Sequence, residues 1–97
     1  MKLDVFQFLV CNKTTQNRSV RQFRFANGFG ASVVKDQYSY GGREGKYELA
    51  VLAWESEEDF HLTYLTSVTN DVLGWLNPDD VEKHLRDIMS LDPIQKY

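Results

Sequence analysis

The sequence predicts an α+β domain: an antiparallel β-meander of about four strands with a C-terminal helix packed on one face. Three observations carry this. Aromatic and aliphatic residues alternate with their neighbours through the middle of the chain. Asparagine and glycine punctuate those runs. A capped segment of helical period follows them. The chain reads as a single domain over 1–97, with an N-terminal arm at 1–18, the meander at 19–65 and a helical part at 70–91.

The arm admits two readings. Leu3, Phe6 and Val10 have helical spacing with Asp4 as a cap, whereas Val5, Phe6, Phe8 and Val10 are strand formers, so a short helix and a strand both remain open. Residues 12–17 are polar and read as a loop. The β signal begins at Ser19: Phe23 and Phe25 alternate with Gln22 and Arg24. Asn27-Gly28 supplies a tight hairpin turn, because both residues tolerate positive φ, and 31–35 is the returning strand. Residues 37–45 contain Gly41, Gly42 and Gly45 and form a loop. Both alternating sets of 47–54 are largely apolar, which is the pattern of a central strand covered on both faces. Residues 55–59 make an acidic turn, and Phe60, Leu62 and Tyr64 mark a fourth strand. Asn77 caps the helix and Pro78 opens it. Val81, Leu85 and Ile88 form its apolar stripe. Asp79 with Lys83 and Glu82 with Arg86 are acid-first i,i+4 pairs, and Asp92-Pro93 stops the helix. Val72, Leu73, Trp75 and Leu76 form an apolar knot that packs the helix on the sheet.

The hydrophobic fraction of 42 % excludes a disordered chain, and no apolar run approaches a membrane span. Cys11 is the single cysteine, which excludes an internal disulfide and suits a reducing compartment; the start lacks the pattern of a signal peptide. Residues 1–47 carry eight Lys/Arg against three Asp/Glu, while 48–97 carry three against eleven. Such halves either present two unlike faces that steer a partner or interleave and mix their charges on one surface.

The chain offers no catalytic or cofactor motif. His61 and His84, the two histidines, lack ligand or triad neighbours at diagnostic spacing. Glu55, Glu57, Glu58 and Asp59 lack the central glycine of a calcium loop and read as a solvated turn. Gly28-Phe29-Gly30 approaches the glycine–aromatic signature of RNA-recognition motifs, with Arg18, Arg21 and Arg24 upstream. The later aromatics are absent, and no helix falls between the first strands. The glycine-rich loop with Tyr38, Tyr40 and Arg43 has the residue types of a recognition loop, since Tyr and Arg dominate binding hot spots. Trp54 and Trp75 are either core residues or, where one is exposed, an anchor for a partner or a homodimer.

The runs from Phe23 to Val34, Tyr40-Gly41-Gly42, Tyr47-Glu48-Leu49-Ala50-Val51, Leu62-Thr63-Tyr64 and Asp71-Val72-Leu73-Gly74-Trp75-Leu76 resemble a group of small phage-encoded proteins of unknown function, over about residues 23–91. The resemblance implies expression in the cytoplasm of a bacterial host, and a protein that binds and blocks a host or defence component. It brings no catalytic residue. The leading expectation is therefore a non-catalytic binding module using Tyr38, Tyr40, Arg43, Arg21, Arg24 and Trp54, without cofactor or metal and with a host protein as partner. The alternative is a nucleic-acid binder using the basic first half.

Overall fold

The computed structural model describes residues 5–15, 18–36, 45–63 and 72–94. Its architecture is the predicted one, an antiparallel sheet with one C-terminal helix packed on it. The sheet has six strands: β1 (Leu9–Thr14), β2 (Arg18–Arg24), β3 (Phe29–Asp36), β4 (Tyr47–Trp54), β5 (Phe60–Leu62) and β6 (Leu73–Leu76). The helix α1 spans Pro78–Met89. Strands β1 to β5 form the meander, and β6 joins β4. β3 occupies one edge of β4, so β5 and β6 share the other end to end, at Leu52–Trp54 and at Tyr47–Leu49 respectively.

Two strands exceed the expected count. The arm is a 3-10 turn at Val5–Phe8 followed by β1, which runs on through Asn12, Lys13 and Thr14. These polar residues read as loop, yet they sit on an edge strand with exposed side chains, where pairing with β2 satisfies the backbone without burial. The second is β6. Leu73 and Leu76 are three apart, a spacing that sends alternate strand residues to opposite faces. One extra residue on β6 between its pairings Leu49–Leu73 and Tyr47–Leu76 restores both leucines to the same face, and the helix begins only after it.

Cross-strand pairing sorts the side chains. Phe23, Ala31 and Val51 share one face, as do Val33 and Leu49, and this face carries the main core with Phe25, Leu76, Leu85 and Ile88. The helix stripe predicted at Val81, Leu85 and Ile88 packs here, and the 3-10 turn closes the core with Val5. Asp80 Oδ2 accepts from the Asn77 backbone N–H at 3.1 Å, which settles the first turn. Arg86 pairs with Glu82 at 3.0 Å as expected. Lys83 instead pairs forward with Asp87 at 3.2 Å, and Asp79 stays exposed.

The hairpin turn is tied to the far end of the helix. Asn27 Nδ2 donates to the carbonyls of Ile88, Met89 and Leu91 at 2.9, 3.2 and 3.0 Å, and its Oδ1 accepts from Phe29 N–H at 3.0 Å. The last carbonyls of a helix lack intrahelical donors, and here a turn residue supplies them. Gly28 follows at φ 89°, against Ile94, whose N–H bonds the Asn27 carbonyl at 2.9 Å.

On the second face, Leu52 is fully buried and Trp54 is 7 % exposed, in line with a central strand covered on both sides. The Trp54 indole crosses Gly30 and donates from Nε1 to the Phe23 carbonyl at 3.0 Å. Phe60 lies 4.8 Å from it, centroid to centroid, and the Arg24 guanidinium stands 5.8 Å over the ring. A Cβ on Gly30 would collide with the Phe23 carbonyl and the indole nitrogen, so the missing side chain is what admits Trp54.

Candidate partner-binding site

Trp75 is the outlier of the molecule. It is 62 % exposed, the largest fraction among the exposed large hydrophobic residues described. It also has φ 59°, the one positive φ among described non-glycine residues. For a bulky aromatic the left-handed region is sterically costly. The bulge explains the geometry: Leu73 packs on the core and Leu76 is buried in it, so the extra residue between them turns the indole outward.

The surroundings follow from the pairing. Leu76 faces Tyr47, where the chain enters β4 from the 37–45 connection. Lys46 donates to the Asn77 side chain just beyond β6. Gly45, at φ 75°, makes the bend into β4, and Lys35 lies 5.0 Å over the Tyr47 ring at the other foot of the connection. Trp75 therefore stands at the end of the sheet where the tyrosine–glycine connection is anchored. Tyr38, Tyr40 and Arg43 themselves lie outside the described residues.

The remaining expected site residues are dispersed. Arg18 and Arg24, six apart on β2, share the second face, whereas Arg21 between them points to the helix side. Arg18 pairs with Asp36 at 3.4 Å, and Arg24 donates from Nη1 to the Glu57 carbonyl at 3.0 Å while covering Trp54. Trp54, expected as a binding residue, is a core residue; the tryptophan open to a partner is Trp75, which the sequence reading placed in the apolar knot. The available signal was the three-residue spacing of Leu73 and Leu76, which no regular strand can bury together.

His61 pairs with Glu55 at 3.0 Å on open surface, and the Ser56 hydroxyl is engaged with the Glu58 and Asp59 backbone in the acidic turn rather than with the histidine. His84 sits on α1 with its Nδ1 buried and unpartnered. Among the described residues no group of three metal-ligating side chains converges, and no helix is long and apolar enough to cross a membrane. Searches against family models, curated proteins and solved structures found no match to this chain.

Proposed function

We propose that this chain is a non-catalytic binding module, a phage accessory protein that docks on a host or defence protein through Trp75 and the adjoining 37–45 connection. The observation that carries the reading is the exposed Trp75 at positive φ. A bulky residue in the left-handed region costs roughly 1–3 kcal/mol, and such strain concentrates at functional positions. Burial within the chain offsets only part of this cost, because the residue is 62 % exposed. An indole buried in a partner's pocket recovers a large apolar area and is among the commonest hot spots. The sequence of the 37–45 connection contains two tyrosines and an arginine, and the resemblance to small phage proteins supports a host protein as the partner class.

A photo-crosslinking residue at position 75, used in host cells beside one at the exposed Lys83 on the helix, tests this. The expected result is a discrete adduct from position 75 alone, reduced when Tyr40→Ala is added. Equal or absent crosslinking from both positions overturns the reading. A crosslinked dimer, with sedimentation showing self-association that Trp75→Ala dissolves, makes a second copy the occupant and removes the host protein.

A further inference from the structure

We propose that Asn27 is a covalent modification site: an asparagine that deamidates through Gly28, held closed by the fold and opened by unfolding. Asn27-Gly28 is the one Asn-Gly pair in the chain. In a freely moving chain the Gly28 nitrogen, having given up its proton, attacks Asn27 Cγ. A C–N bond forms and the Cγ–Nδ2 bond breaks. Nδ2 leaves as ammonia, taking the displaced proton with its own two. Water then opens the resulting succinimide at either carbonyl and leaves aspartate or isoaspartate. Glycine permits the attack because no Cβ shields its nitrogen.

The folded chain engages every atom this reaction needs. The Gly28 N–H, whose proton must leave, donates to the Phe25 carbonyl at 3.1 Å. Nδ2, the leaving group, is held by the carbonyls of Ile88, Met89 and Leu91 at 2.9, 3.2 and 3.0 Å. Oδ1 accepts from the Phe29 N–H at 3.0 Å, so the amide plane is fixed from both sides. Ile94 packs against Gly28, and its N–H donates to the Asn27 carbonyl at 2.9 Å. Ring closure makes Cγ tetrahedral and expels Nδ2, so the side-chain amide must first leave these partners. The reaction therefore runs from the opened turn. Its products do not fit the position they come from. Aspartate aims a carboxylate at the negative end of α1. Isoaspartate adds a methylene to the main chain of a turn closed by the Phe25 N–H on the Phe29 carbonyl at 2.8 Å. A chain that stays open long enough to react thus loses its route back to the native clamp.

The experiment holds the full chain at mildly alkaline pH, folded in buffer or unfolded in concentrated guanidinium, and maps peptide masses over time. In denaturant, conversion should occur at Asn27 ahead of Asn12, Asn17, Asn70 and Asn77. In the folded chain, conversion at Asn27 should be slower by about tenfold or more. Gly28→Ala, measured only in denaturant where its effect on folding is irrelevant, should slow conversion by about tenfold or more. On return to buffer, the fraction that regains the native melting temperature should fall in step with conversion, and the refolded material should carry intact Asn27. Equal rates in the folded and unfolded chain, no preference for Asn27 in denaturant, or converted chains that refold to the native melting temperature overturn the proposal.

Discussion

Gly30 and Trp54 act as one unit. The indole reaches the Phe23 carbonyl only because nothing projects from residue 30. Gly30→Ala therefore forces either the β2 backbone or the indole to move, and it should destabilise by about 3 kcal/mol or more, read as a fall in the urea midpoint. Trp54→Phe keeps most of the packing and loses one buried hydrogen bond, for a smaller loss of about 1–2 kcal/mol. Asn27 offers a sharper contrast. Its amide faces three helix carbonyls, whereas its Oδ1 serves the turn. Asn27→Ala removes the donor and should cost about 2 kcal/mol. Asn27→Asp preserves the turn contact but directs a carboxylate at the negative end of the helix, so it should be less stable than the alanine variant at neutral pH. Thermal unfolding of the pair decides this; an aspartate variant as stable as wild type would mean the clamp contributes little.

At the scale of elements, the two bulges set what the sheet shows to solvent. Strand β1 carries one extra residue at Val10 between its pairings Leu9–Phe23 and Cys11–Gln22, and Val10 is exposed as a result. A bulge and Lys13 on an edge strand discourage pairing with another chain. In β6 the extra residue presents Trp75 instead. Strain there has a measurable consequence. Trp75→Gly should stabilise the fold by about 1 kcal/mol, because glycine occupies positive φ freely, and should raise the melting temperature by several degrees. The same variant should lose partner binding. A glycine variant that is less stable than wild type would show that the indole packs on the protein itself and would remove the basis of the proposed site. Tyr40→Ala makes the companion test: partner binding should weaken by roughly 1–2 kcal/mol with the melting temperature nearly unchanged.

At the scale of the whole molecule, the basic and acidic halves of the chain interleave. β2 and β3 come from the basic half and α1 from the acidic half, and α1 lies against β3. Contacts cross the divide, as in Arg24 to the Glu57 carbonyl and Lys46 to Asn77. With Arg18 and Arg24 on one face and Arg21 on the other, β2 offers no continuous basic stripe for a phosphate backbone. The expected outcome in a gel-shift assay is no retention of single- or double-stranded nucleic acid at about 150 mM salt. Salt-sensitive retention that Arg18→Ala and Arg24→Ala abolish together would restore the nucleic-acid reading.

What the sequence determined by itself was whatever depends on short-range chemistry. The period of 47–54 specified a doubly covered central strand, Asn27-Gly28 the hairpin turn, and Asn77-Pro78 with the Val81, Leu85 and Ile88 stripe the helix and its buried face. Strands β1 and β6 needed the neighbour they pair with, because a polar edge strand and a bulged strand both lack the two-residue period. The candidate site was decided by tertiary structure for the same reason. Which tryptophan is buried depends on a glycine 24 positions earlier in the chain and on a bulge partner across the sheet; the Leu73–Leu76 spacing hints at the bulge, but only the pairing with β4 establishes it. Charge followed that rule as well: three arginines at a three-residue spacing look like a patch in the chain, but strand geometry sends the middle one to the opposite face.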